Sequence, residues 1–195
     1  MGGAKDGLTL ASTSPQRRAI LEQLGIPFEV VAPTYIEHDP PGLEPAELVR
    51  EHAEGKAQSV HEKGRVTLGV DTTVALDGRV YGKPEDDEDA TRMLRDLSGR
   101  THMVVSGLCL LGGPELDVTT HEVTAVTFRP LTAQLLTTYL ESREWEGRAG
   151  GYAIQGLGGR LVERIDGDYL NVVGLPGALL VSLLDLHAPN LLQIA

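Results

Sequence analysis

Cationic and acidic side chains of this sequence stand in short local patterns suited to phosphate and divalent-cation chemistry. In Ser12-Thr13-Ser14-Pro15-Gln16-Arg17-Arg18, a polar loop enters a helix. Unpaired backbone N–H groups and the positive end of the helix dipole meet two guanidinium groups there, so the turn can hold phosphate oxygens. The same residues also read as a plain N-cap followed by two solvated arginines. The segment lacks the glycine-rich Walker pattern, so it is not the usual ATP-binding loop.

Three further segments carry comparable chemistry. Gly69-Val70-Asp71-Thr72-Thr73 delivers a carboxylate from an apolar strand, where Asp71 can bind a divalent cation, deprotonate water, or merely form a turn. Glu37 and Asp39, in the acidic stretch Thr34 to Glu44, offer more of the oxygen ligands that magnesium prefers, or else form a solvated surface loop. In Gly82-Lys83-Pro84 the proline fixes the backbone and aims the lysine, with Lys56 on the preceding helix as a companion. The glycine-dense run from Arg148 to Gly159 allows close backbone approach, and the Gln155 amide can both donate to and accept from a base edge.

The elements that must position these groups follow from periodicity and punctuation. Leu8 to Ala11 reads as a buried strand, Gln16 to Leu24 as a helix stopped by Gly25, and Phe28 to Ala32 as a second strand. A long amphipathic helix is expected over Pro45 to Lys63. Val66 to Val70 is expected as a strand ending at Asp71, followed by a hairpin of Thr73 to Leu76 and Arg79 to Tyr81 around Asp77-Gly78. Glu85 to Leu97 has helical spacing. Thr101 to Phe128 is strand-rich, with Gly112-Gly113-Pro114 as its turn, and Thr132 to Ser142 is a helix. Leu161 to Ile165 and Tyr169 to Val173 are expected to flank a second hairpin turn at Asp166-Gly167, before a last helix at Gly177 to Leu186. This mixed pattern predicts one α/β domain over residues 8–187, with tails at 1–7 and 188–195, whose loops at strand ends build a cleft.

Composition narrows the function classes. The formal net charge of −11 argues against sequence-independent nucleic-acid binding, which needs a basic surface. An anionic substrate therefore needs locally clustered cations, as the motifs supply. The single cysteine, Cys109, lies in an apolar run; it allows no intramolecular disulfide and fits a reducing compartment. No stretch reads as a signal peptide or membrane span. The expectation is a soluble cytoplasmic protein that engages neither nucleic acid nor membrane.

Taken in order, these segments resemble the Maf family of nucleotide pyrophosphatases from Leu8 to Leu186. The likeness rests on Leu-Ala-Ser-x-Ser-Pro-x-Arg-Arg, Glu37, Lys56-Ala57, Gly-x-Asp-Thr, Gly-Lys-Pro, Leu-Ser-Gly-x-Thr-His, Ile-Gln-Gly-Leu-Gly-Gly and Val-Gly-Leu-Pro. The resemblance implies a mixed, elongated sheet flanked by helices, with two lobes around a central cleft. It also implies hydrolysis of a nucleoside triphosphate to the monophosphate and pyrophosphate with a divalent cation, Mg2+ or Mn2+, as house-cleaning of the nucleotide pool, by a chain expected to act as a homodimer.

Carried over residue by residue, Asp71 is the implied proton acceptor, and Arg17, Arg18, Lys56 and Lys83 hold the triphosphate. Glu37 joins Asp71 around the metal, Ser12 reaches the phosphates, and Gln16, Thr72, Gln155 and Arg148 contact the rest of the substrate. Thr72 and Gln155 fit the branch acting on dTTP and UTP. Gln16 stands where that branch usually carries arginine and the 7-methyl-GTP branch tryptophan; Arg148 replaces a lysine and Gly151 an alanine. Two alternatives stand beside this reading: a 7-methyl-GTP pyrophosphatase, and a nucleotide-binding regulator of cell division with little turnover.

Overall fold

In the computed structural model, which describes residues 7–40, 42–113 and 116–193, seven strands form one mixed sheet. Its order is β2-β1-β3-β5-β6-β7, with β4 hydrogen-bonded to β3. The parallel part comprises β1 (Leu8–Ala11), β2 (Phe28–Val31) and the first half of β3 (Val66–Leu76). Antiparallel pairing joins β3 to β5 (Thr101–Gly113), β5 to β6 (Leu116–Phe128) and β6 to β7 (Val162–Asp166). Helices α1 (Pro15–Gln23), α2 (Pro45–Gln58), α3 (Asp87–Leu97), α4 (Ala133–Glu141), α5 (Tyr169–Val173) and α6 (Gly177–His187) surround it. The mixed α/β class expected from the sequence is the one observed.

One face of the sheet carries two separate cores. Along β3 the even positions Leu68 and Val70 belong to a cluster with Leu8, Ile20 and Leu184, whereas Val74 and Leu76 belong to a second with Leu97, Phe128 and Tyr139. Alternation puts Thr72 between them on the same face. On β5 the buried Ser106 stands opposite it, and the two hydroxyls lie 2.9 Å apart. A polar pair thus interrupts an otherwise apolar face, and that seam divides the two lobes.

The opposite face receives α2 at unusually close range. Glycines at 69 and 107 leave the space: a Cβ at Gly69 would lie 2.0 Å from the Ala53 carbonyl oxygen, and one at Gly107 would lie 2.0 Å from that of Val49. Only a residue without a side chain permits backbone contact of this kind. Ala53, Ala57 and Cys109 fill the remainder of the seam as a small apolar cluster.

Several boundaries differ from the sequence expectation. β3 does not end at Asp71 but continues to Leu76, because β5 pairs with it throughout. What ends there is its other neighbour: pairing with β1 stops at Gly69, and pairing with β4 (Arg79–Tyr81) begins only at Val74. Asp71 therefore sits at an open sheet edge, though not at a strand end. The hairpin turn uses positive φ at Asp77 and Gly78, as a two-residue turn requires.

Helix α2 stops at Gln58, short of Lys63, where the Ser59 hydroxyl donates to the Lys56 carbonyl in the last turn. The expected strand at Tyr169–Val173 is helix α5. The Asp168 carboxylate accepts from the Leu170 N–H as an N-cap, and Gly174 ends the turn at φ 131°. Cap chemistry outweighs the strand preference of Val172 and Val173. Beyond α6, a 3-10 turn over Pro189–Leu192 buries Leu191 against the first core, so part of the expected tail is docked. Residues 1–6 of the expected N-terminal tail, the turn residue Pro114 and the last two residues lie outside the described residues.

Candidate active site

The β1–α1 loop shapes one wall of the cleft. Pro15 occupies the first turn of α1 and the Ser14 hydroxyl accepts from the Arg17 N–H, which starts the helix and turns Arg17 inward. The Arg17 guanidinium is held by three acceptors: the Gly174 carbonyl at 3.0 Å, Ser12 Oγ at 3.0 Å and Thr72 Oγ1 at 3.4 Å. Burial lowers the pKa of this group, while the carboxylates of Asp71 and Glu37 oppose the shift. The guanidinium is thus fixed in place before any ligand arrives.

From α2, Lys56 is buried and places its ammonium 2.6 Å from Asp71 Oδ1 and 2.5 Å from Glu37 Oε1. One helical turn earlier, His52 is also buried, with Nδ1 3.5 Å from Asp71 Oδ2 and Nε2 3.1 Å from the His38 carbonyl. Asp39 stands 3.5 Å from the same Nε2. Burial alone would raise the Asp71 pKa. The hydrogen bond from His52 and the charges of Lys56 and Arg17 outweigh it and hold the carboxyl well below the usual carboxylate range. The His52 imidazole moves upward, first through Asp71 and against its own burial.

These groups line two joined chambers of about 360 and 730 Å³. Arg17, Glu37, Lys56, Thr72 and Lys83 border both, and Asp71 borders the larger. The smaller chamber reaches Ser12, Gln16, Arg148, Tyr152 and Gln155. The Gly150 N–H donates to the Gly82 carbonyl at 3.0 Å, which joins the glycine-rich loop to the Lys83 turn. The Ser14 hydroxyl donates to Gln16 Oε1 at 3.0 Å. Among the described residues, Arg148 Nε is buried without a hydrogen-bond partner. Arg18 does not line either chamber; it is exposed and donates to the Thr13 carbonyl at 3.4 Å.

The sequence reading missed His52, Ser106 and Tyr152. His52 was accessible in principle, since it precedes Lys56 by four residues and so shares its helix face. Ser106 and Tyr152 had no comparable signal, because their importance depends on long-range register.

The chain matches the family model described as Maf-like protein over residues 7–187. It belongs to the Maf family. Among its Maf relatives, a dTTP/UTP pyrophosphatase of Nitratidesulfovibrio vulgaris is 48% identical over 90% of this chain and 85% of its own length. Those of Symbiobacterium thermophilum and Pyrococcus furiosus are 47% and 40% identical, over 87% and 92% of this chain and 88% and 94% of theirs.

Behind the smaller chamber of this Maf protein lies a buried polar contact with a pH consequence. His102 is fully buried, its Nε2 2.9 Å from the Tyr152 hydroxyl and its ring edge-on to Phe128 at 4.9 Å. Burial pushes its pKa down from 6.5 to about 4. Between those values the unfolded chain takes up a proton at this residue that the folded one refuses, so the contribution of His102 to stability falls as pH drops through that window and is constant above it. Asp71, with its depressed value, keeps its contribution across the whole window and loses it only in stronger acid. His52 has the opposite sign to His102. Denaturant unfolding at pH 7.5 and 4.5 should show a loss of about 2–3 kcal/mol attributable to His102. His102→Gln should be less pH-dependent by that amount, and an unchanged slope would contradict the assignment.

Proposed function

We propose that the chain is a nucleoside triphosphate pyrophosphatase of the dTTP/UTP type, converting the triphosphate to the monophosphate and pyrophosphate. The observation that carries this reading is the shared chamber of Arg17, Lys56, Lys83, Glu37 and Asp71, which opens past Thr72 into a second chamber holding Gln16 and Gln155. The names of the relatives support the same activity. Cationic heads gathered in a net acidic chain suit a polyphosphate.

On this reading Arg17, Lys56 and Lys83 bind the phosphates and stabilise charge that develops on the leaving pyrophosphate. Ser12 adds a hydroxyl beside Arg17, and Arg18 acts from outside, through long-range attraction. Glu37 and Asp71 fit a divalent cation, with His52 inside the same group of ligand atoms, all within 4.8 Å of one another; Mg2+ and Mn2+ are the candidates. When bound, the cation supplies charge neutralisation and a more acidic water. Water adds to phosphorus, the bridge between the α and β phosphates breaks, and the water proton passes to Asp71.

In the free protein Asp71 is a weak base, because against its burial the hydrogen bond from His52 and the charges of Lys56 and Arg17 stabilise its charged form. Transfer of both cations to phosphate oxygens raises its basicity, so proton acceptance is coupled to substrate binding. The single buried Cys109, a free thiol, supports a reducing, cytoplasmic setting.

Base choice is assigned to Gln155, whose amide pairs with the donor and acceptor edge of a pyrimidine, with Thr72, Gln16 and Arg148 around it. A panel of dTTP, UTP, 5-methyl-UTP and 7-methyl-GTP tests this. The pyrimidine nucleotides should exceed 7-methyl-GTP in kcat/KM by at least about tenfold. Preference for 7-methyl-GTP would move the chain to the other branch.

A further inference from the structure

Three buried polar side chains behind the smaller chamber have no task in the reading above: Tyr139 on α4, His102 on β5, and Tyr152. Their polar atoms converge on one short stretch, Tyr152 to Gly156, which carries Gln155. The Ala153 N–H donates to the Tyr139 hydroxyl at 3.1 Å. The Tyr152 hydroxyl lies 2.9 Å from His102 Nε2. Both contacts are closed to solvent, so water does not stand in for a lost partner there.

His102 shows what the second contact is for. Among the described residues its Nδ1 is buried without a hydrogen-bond partner, which leaves Tyr152 as the polar attachment of the ring. Burial pushes its pKa down to about 4, so the ring is neutral and the contact intact near neutral pH. A half-satisfied imidazole is costly among the aromatic rings of Phe128 and Tyr152, which pack edge-on to it at 4.9 and 5.5 Å. An apolar pair of the same shape would fill that space without the cost. The contact therefore serves placement more than packing.

Beyond these anchors the chain turns sharply. The Gly156 N–H donates to the Ala153 carbonyl at 3.1 Å, which closes a turn over 153–156. Gly158 packs against the same residue, since a Cβ there would come within 2.5 Å of the Ala153 carbonyl oxygen. Residues 151–154 are buried and Gln155 is the first exposed one, so its side chain leaves a pinned stem at the border of the smaller chamber. An amide that reads a base edge needs such a stem, because a shift of about 1 Å can cost on the order of a hundredfold.

We propose that Tyr139 and the His102–Tyr152 pair are positioning residues for base recognition, two buried tethers from α4 and β5 that set the reach of the Gln155 amide. The proposal rests on Gln155 reading the base. Without the Tyr139 hydroxyl the buried Ala153 N–H loses its acceptor, and the stem shifts until that group finds another. Arg17 and Lys56 stand on α1 and α2 and keep their places.

The test deletes single oxygen atoms from the full chain. Tyr139→Phe and Tyr152→Phe keep the rings, with folding checked by circular dichroism and thermal unfolding; if one fails to fold, the other carries the test. Each should lower kcat/KM for dTTP by roughly tenfold, with the inhibition constant of inorganic pyrophosphate changed by less than about twofold. In a Gln155→Ala background the same substitutions should add less than about twofold, because the group they position is gone. Losses that multiply fully with that of Gln155→Ala, an equal weakening of pyrophosphate, or wild-type kcat/KM in the folded variants would overturn the proposal. So would a Gln155→Ala protein as active on dTTP as the wild type, which removes the base assignment beneath it. Release of pyrophosphate from dTTP by the wild-type protein in any of these cases leaves the pyrophosphatase reading intact.

Discussion

Replacing Asp71 by asparagine should lower kcat for dTTP by roughly 10²–10⁴-fold while leaving nucleotide affinity unchanged or improved, because the substitution keeps the shape and removes only the charge and the proton-accepting oxygen. The carboxylate is held by Lys56 at 2.6 Å and faces His52 at 3.5 Å, so its position is fixed without substrate. An anion at that point repels a polyphosphate until a cation or a proton offsets it. Losing it therefore hurts the chemical step more than binding. Single-turnover kinetics and calorimetric titration separate the two. A variant with near wild-type turnover would remove Asp71 from the reaction, and one that failed through weak binding would make it a binding residue.

The second large effect is expected at a residue that carries no side chain at all. Gly69→Ala should destabilise the protein by about 3 kcal/mol, lowering the thermal midpoint by roughly 6–12 °C. Its activity should fall on the order of a hundredfold even where the protein stays folded. The new methyl group would sit 2.0 Å from the Ala53 carbonyl oxygen and 2.8 Å from the Ala57 nitrogen. Both are backbone atoms, so the helix must lift away from the sheet, and Lys56 and His52 must leave Asp71 with it. Adding Ala57→Gly removes a methyl carbon only 2.9 Å away and should not rescue the variant, because the carbonyl remains. Full recovery in the double variant would show that side-chain crowding, not backbone contact, sets the spacing. Differential scanning calorimetry and steady-state rates on the three proteins decide between them.

Much of this architecture was legible in the sequence because local rules governed it. Pro15 after Ser14, Gly25 after an apolar-periodic run, and Asp77-Gly78 between alternating residues each specify their backbone directly. The charged motifs could be collected from their types and spacing, and Arg17, Lys56, Lys83, Glu37 and Asp71 do line a common chamber. What stayed hidden depended on contacts distant along the chain. Asp71 was expected at a strand end, yet β5 carries β3 past it, and only the mismatch between β1 and β4 opens the edge. The Tyr169–Val173 segment carried strand residues, yet Asp168 capped it as a helix. Arg18 shares the motif of Arg17, but one step along α1 turns it outward to solvent. His52 was passed over because its partners, the His38 carbonyl and Asp71, come together only once α2 settles on Gly69 and Gly107.

The most direct measurement is the identity of the products when purified protein is incubated with dTTP and Mg2+ or Mn2+ and resolved by ion-exchange chromatography. The cleft described here predicts dTMP and pyrophosphate in equal amounts, with no accumulation of dTDP. Release of orthophosphate with dTDP would contradict it, since the bond broken would then lie one phosphate further along.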